Sequence, residues 1–310
     1  IDGQPDIRAL RETFTGWPEL LTVDSGSARM SAEFRLASKN GLEMDGSARL
    51  NKVNGLFNRT AFSGVEGALR VSMKRGRITA QASELVAEQL NPGIPLNALR
   101  VTADYSAPVA NPLDGRLNVD QTSARFLEGS LQVPSGTYDL QAGSGRLPLQ
   151  LQDLSLARLM EVYPAEGLEG SGLLNGHIPV NFNRDSIQVE QGLVSARAPG
   201  GRLQLPADKL QAILGNSQAM DLVVQALQNF HYSALTSTID YDESGKLTLG
   251  LSLEGTNPEL QGGHPVILNV NLEDDIPALL KSLQLSGRVN EVVTERVRKL
   301  LQQTDEGIEP

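Results

Sequence analysis

Period-two alternation of apolar and polar residues, interrupted at short intervals by turn signals, is the feature that most restricts how this chain folds. Such spacing puts every second side chain on one face of a strand. Ala28, Met30, Ala32, Phe34 and Leu36 alternate with Arg29, Ser31, Glu33 and Arg35. Leu42, Met44, Ala48 and Leu50 repeat the pattern, as do Leu69, Val71 and Met73, then Leu99, Val101 and Ala103, then Leu117 and Val119. Lys39-Asn40-Gly41, Lys74-Arg75-Gly76, Asn111-Pro112 and Asp114-Gly115 separate these runs. Their residue types favour turns. The gaps are too short for crossover helices, so the reading is an antiparallel meander rather than a βαβ array.

The longest alternating run is Leu168 to Phe182, with Leu168, Leu174, Ile178, Val180 and Phe182 on one side. Glycines inside it mark a bend or bulge, and Pro179 marks an edge or an irregularity. Across the turn Asn183 to Ser186, Ile187, Val189 and Leu193 return. Leu247, Leu249, Leu251 and Leu253 form a pure leucine stripe, and Val266, Leu268, Val270 and Leu272 form another. Helices are few: Leu156 to Tyr163, stopped by Pro164, a broken pair over 207–230, and two short amphipathic helices within 276–301. The expected organisation is a repetitive β segment over 1–164, a second β region over 165–303, and a disordered tail at 304–310.

Thirty glycines, sixteen prolines and 4% aromatic residues fit many short strands with an aliphatic interior. The balance of 27 basic against 37 acidic residues, net −10, argues against nucleic acid, which needs a basic surface. With no cysteine, thiolate nucleophiles, disulfides and cysteine-ligated metals are excluded. His177, His231 and His264 have no metal-ligand spacing, so no metal is expected. No apolar run of about 18 residues occurs, which excludes a transmembrane helix within these residues. The chain begins with Ile rather than Met and reads as a fragment of something longer.

Motifs for chemistry fail on inspection. Gly170 and Gly172 open a dinucleotide pattern, but position 175 is Asn and no helix follows. Asp240, Asp242 and Ser244 open a calcium-loop pattern, yet its twelfth position is Leu251 and strands flank it. A solvated hairpin turn at Asp242 to Gly245 explains those residues better. No nucleophile, base and orienting group converge, so neither an enzyme nor a cofactor is expected.

From Leu168 the sequence resembles the C-terminal region of the YdbH family, within the AsmA-like group. The resemblance lies in Leu168 to Val180, Ile187 to Ala198 with Pro199-Gly200-Gly201, Leu253 to Pro258, Pro265 to Leu272 and Leu279 to Leu285. It implies a long curled antiparallel sheet, a U-shaped groove or "taco", that carries phospholipid acyl chains between inner and outer membranes. It also implies a periplasmic location, an inner-membrane anchor helix that this chain lacks, and two partners. These are a small YnbE-like outer-membrane lipoprotein and a periplasmic YdbL-like protein.

On that reading the groove is lined by Leu168, Leu174, Ile178, Val180, Phe182, Ile187, Val189, Leu193, Leu247, Leu249, Leu251, Leu253, Val266, Leu268 and Val270. The partner edge is Val266, Leu268, Val270 and Leu272, where the lipoprotein would add a strand. Physics supports this: a sheet with one apolar face must cover it with another layer or hold something apolar there. The alternatives are a protein-binding envelope scaffold with a closed core, and, more weakly, a carrier of dicarboxylates or other small organic anions.

Overall fold

The computed structural model describes residues 21–37, 41–57, 60–92, 94–162, 169–183, 186–204, 218–260 and 265–275. Strand pairing is antiparallel throughout. Eight strands form the first run: β1 (Leu21–Ala37), β2 (Gly41–Phe57), β3 (Thr60–Lys74), β4 (Arg77–Asn91), β5 (Leu96–Pro108), β6 (Gly115–Phe126), β7 (Gly129–Gln132) and β8 (Gly136–Leu140). The first six are consecutive neighbours, and both short strands β7 and β8 pair with β6. β9 (Gly145–Ser155) then pairs with β7 and with β11 (Leu173–Phe182). The sheet therefore continues across the Pro164 region.

Beyond β11 come β12 (Ile187–Ala196), β14 (Phe230–Tyr241), β15 (Lys246–Thr256) and β16 (Pro265–Asp275). The short strands β10 (Glu169–Gly170) and β13 (Gly201–Gln204) branch from one end of β14. These sixteen strands form one open sheet among the described residues. The outer edges of β1 and β16 have no strand partner there.

The run Leu168 to Phe182 is not one strand. The chain breaks at Ser171-Gly172, where Gly172 adopts φ 114°. Pro179 stands inside the sheet opposite Pro148, between His177 and Val180, where the register with β12 shifts. The irregularity accommodates the missing N–H donor. Of the predicted helical regions, α1 (Leu156–Val162) and α2 (Gln218–Leu227) lie among the described residues. Ser155 Oγ accepts the Arg158 N–H at 3.2 Å and caps α1. The segments 276–301 and 304–310, Leu168, and the predicted break at Gly215-Asn216 lie outside the described residues.

The strands bend at stacked irregularities. Register shifts occur at Val23 to Ser27, Leu50 to Gly55, Ala68/Leu69, Ala82/Leu85 and Thr102/Ala103, each opposite the next. A bulge bends and twists its strand, so a line of bulges folds a wide sheet along one crease. Gly26 (φ 109°) shows why the crease selects its residue: a Cβ there would stand 2.5 Å from the Lys52 carbonyl oxygen.

Among the described residues the packed core lies at one end of the strands from β9 to β16. Leu151, Leu154, Leu174, Val194, Leu235, Leu253 and Leu268 meet Leu156 of α1 and Val224 and Leu227 of α2. Phe230 at its centre is 0% exposed. Buried Asn257 ties α2 down, donating through Nδ2 to the carbonyls of Gln225 (2.8 Å) and Ala226 (3.3 Å) at the helix C-terminus. Tyr232 in this core donates its hydroxyl to the Ser171 carbonyl at 2.7 Å, and burial raises its pKa above the usual tyrosine value. A raised folded-state pKa means the contribution is intact below about pH 10 and is lost as pH rises through the folded value. Thermal unfolding of wild type should show this alkaline loss. Tyr232→Phe should remove it and lower stability at neutral pH by about 1 kcal/mol.

Candidate functional site: an uncovered apolar face

Residues directly opposite in an antiparallel ladder share a face, so the register traces that face across the whole sheet. In the first run, Phe34, Met44, Met73, Ile78 and Ala107 stand in one row across β1 to β5. Met30, Ala48, Leu69, Ala82, Ala103 and Val119 form the next row, reaching β6. The row continues on the same face as Ala124, Leu131, Leu151, Gly176, Val194, Ser237, Leu251 and Val270. One apolar face thus runs unbroken from β1 to β16.

The opposite face is polar. Ser31 bonds Ser47, Ser72 bonds Thr79, and Arg100 pairs with Glu84 at 2.8 Å. Such exposed pairs contribute little stability and mainly mark the side that faces water.

Polar atoms on the apolar face are tied to backbone. Tyr105 and Tyr138 donate to the carbonyls of Pro112 (2.8 Å) and Pro134 (2.7 Å). Desolvation, then the charge of Asp114, raises the Tyr105 pKa, keeping the hydroxyl a neutral donor. Thr122 exchanges bonds with Val133, donating to its carbonyl at 3.0 Å and accepting its N–H at 2.6 Å. These three hydroxyls are therefore already satisfied within the aliphatic surface.

Cover over this face is uneven. No helix lies among the described residues before Leu156, and the buried hydrophobic side chains of β1 to β6 are alanines and valines, such as Ala107, Ala124, Val53 and Val119. Phe34 is 63% and Leu36 88% exposed. From β9 onward α1 and α2 seal one side of the strands, here called the sealed rim. The other side remains half-open along Leu147, Val180, Val189, Tyr241 and Leu247, which are register neighbours.

The residues expected to line a groove divide accordingly. Leu174, Leu253 and Leu268 belong to the packed core, with Ile178, Leu251 and Val266 partly buried against it. Val180, Phe182, Val189, Leu247 and Leu249 are half-buried at the open side, and Ile187 is exposed on the same face opposite Phe182. Val270 and Leu272 stand opposite Leu251 and Leu249.

Leu193 does not join them. It sits opposite His177 on the polar face and is 48% exposed, because Gln191 (φ 55°) forms a bulge between Val189 and Gly192. The extra residue reverses the alternation, and Val194 takes the inner place. Leu147, Leu149, Ile239 and the first-run aliphatics belong to the face as well. The alternation of Leu147, Leu149 and Leu151 with Pro148, Gln150 and Gln152 carried that signal.

The turn with a calcium-like spelling is a hairpin. Asp242 Oδ1 accepts from Ser244 Oγ at 2.6 Å and from the N–H groups of Ser244 and Lys246. The Ser244 hydroxyl bond first, then the Lys246 N–H, holds the Asp242 carboxyl below its ordinary range. The carboxylate's role is to close the turn. No helix among the described residues is long and apolar enough to cross a membrane, which says nothing of β-barrels.

The described residues thus form a long open antiparallel sheet with one continuous apolar face, capped along part of one side. The YdbH-like family model, described as intermembrane phospholipid transport protein YdbH, matches residues 2–298. The chain belongs to this family of phospholipid transport proteins, which is non-enzymatic. It is also similar to the probable phospholipid transport protein YdbH of Escherichia coli (strain K12), with 25% identity over 287 residues. That alignment covers 90% of this chain and 31% of the relative, so the chain spans about a third of its length. No solved structure matches the chain significantly.

The division between core and open face is testable. Leu253, 1% exposed, should not tolerate Asp, since an unpaired buried charge costs about 3–5 kcal/mol. Leu249→Asp, four residues away on the same face and half-buried, should fold with a loss of about 1 kcal/mol. Circular dichroism melts of both variants check the contrast.

Proposed function

We propose that this chain is a conduit segment in which phospholipid tails lie in the apolar trough of the curled sheet while headgroups stay in water. The observation carrying this is the unbroken apolar face, over which no helix lies along β1 to β6 among the described residues and which is half-open beyond. Each methylene kept from water is worth about 0.8 kcal/mol, so a 16-carbon tail faces about 12 kcal/mol in crossing water unaided. An aliphatic trough lowers that barrier without a chemical step or a cofactor. Between the packed core and the open rim, the groove set narrows to Ile178, Val180, Phe182, Ile187, Val189, Leu247, Leu249, Leu251 and Val270. Leu174, Leu253 and Leu268 act as the wall that holds the trough's shape.

The same reading puts the protein in the periplasm, in a longer chain anchored in the inner membrane. β16 is then the natural docking edge. Its outer side has no strand partner among the described residues, and an exposed edge recruits another chain by main-chain hydrogen bonds. A strand from a small outer-membrane lipoprotein of the YnbE type would extend the trough there, with Val266, Leu268, Val270 and Leu272 supplying the apolar face. A YdbL-like periplasmic protein is the second proposed partner.

Native mass spectrometry of the purified chain should find co-purified phospholipid, and Leu249→Asp should reduce it while the fold persists. A lipid-free chain that takes up no tail from donor vesicles would instead support the envelope scaffold with a closed face. For the docking edge, adding the lipoprotein should slow amide exchange along β16. Unchanged exchange there, with binding shown independently, would remove β16 as the edge.

A further inference from the structure

Because α1 and α2 fill the trough along one side from β9 to β16, a tail advancing through the second half is confined to the other side. The headgroup of such a lipid must travel along that open rim. Following the rim back into the first half leads to the tip of the β3–β4 hairpin, Lys74-Arg75-Gly76-Arg77. Its four residues are all exposed and carry three cations in a chain of net charge −10.

The tip is built to present one of those cations freely. Lys74 is paired with Asp45 at 2.6 Å, and Arg77 donates to Ser106 Oγ at 3.1 Å. Arg75 has no ion pair or side-chain hydrogen bond among the described residues. Its backbone lies in the left-handed region (φ 51°), followed by Gly76 at φ 72°, a two-residue turn that sets it at the apex. Apolar surface adjoins it. Met73 and Ile78 stand at the end of the inner face, and the Val109 N–H donates to the Gly76 carbonyl at 2.8 Å, which holds exposed Val109 against the tip. Further along the rim the tips change sign, and the β14–β15 turn carries Asp242 and Glu243.

We propose that the β3–β4 tip is a headgroup station: Arg75, supported by Arg77, engages the phosphodiester of a glycerophospholipid whose tails lie across Met73 and Ile78. This rests on the trough reading above. Arginine suits the task because its planar donor fork matches two phosphate oxygens and is less strongly hydrated than an ammonium. The contact is solvated, so it is modest and weakens with salt. A modest contact is what passage requires, since a tightly held headgroup would stop the lipid.

The test uses the full chain and phosphatidylcholine vesicles carrying either fluorescent phosphatidylglycerol or fluorescent diacylglycerol, which has the same tails without phosphate. Lipid carried away on the protein is measured after the vesicles are removed. The double variant Arg75→Glu, Arg77→Glu should lower phosphatidylglycerol uptake about fivefold at low salt, with diacylglycerol uptake unchanged. Arg75→Lys should retain most of it, since a point charge remains.

Unchanged phosphatidylglycerol uptake in the double variant overturns the station and leaves the trough standing. Equal loss of both lipids overturns it too, because the tip would then act on something other than phosphate. Co-sedimentation of the wild-type chain with the vesicles, without lipid carried away, shows a membrane-surface contact instead. Uptake of neither lipid by wild type overturns the trough reading, and the station with it.

Discussion

The structure depends on an imbalance in burial. A sheet of sixteen strands presents a continuous aliphatic face, and only two short helices among the described residues lie against it. In an ordinary domain a second layer removes that surface from water, and this removal is the main favourable term in folding. Among the described residues the largest fully buried side chains, Phe230, Leu227 and Leu253, lie where α1, α2 and the strand ends of β9 to β16 meet. Elsewhere the main-chain ladders and the curl of the sheet must maintain the face. On the described residues that leaves exposed apolar surface, the kind of patch that marks a ligand or protein contact.

Several local devices serve the same end. Stacked bulges crease the strands so that their apolar sides turn toward one another. The hydroxyls of Tyr105, Thr122 and Tyr138 on the inner face are spent on nearby carbonyls. The polar face carries exposed ion pairs and side-chain ladders that keep it wet. Together these make a surface with low selectivity along its floor. Any discrimination between lipids then has to come from the rim, where headgroups meet charge.

Family membership fits this physics without adding to it. Transport of phospholipid between membranes needs shelter for tails over distance. The strands shorten from 17 residues in β1 and β2 to 10 in β11 and β12 and 11 in β15 and β16. The helices α1 and α2 pack against the strands from β9 onward. Bulky leucines there and alanines in the first run, such as Ala80, Ala82 and Ala103, repeat the contrast in side-chain volume.

Much of this was legible in the chain itself. Alternation is a local property of covalent geometry, so the mainly antiparallel character, the inward-facing set of β1 to β6 and the stripes of β15 and β16 could be read directly. Leu193 shows where that reading stops. Gln191 has no sequence signature for a left-handed backbone, yet its bulge moves Leu193 to the polar face and Val194 inward. The break at Gly172 and the continuation of the sheet across the Pro164 region are of the same kind. Which apolar residues become core was likewise decided in three dimensions. Leu249 and Leu253 belong to one stripe and look alike in sequence, but only Leu253 lies in the core packed beneath α1 and α2. Burial is set by what the rest of the chain brings to a face, and neighbouring residues along one strand carry no record of it.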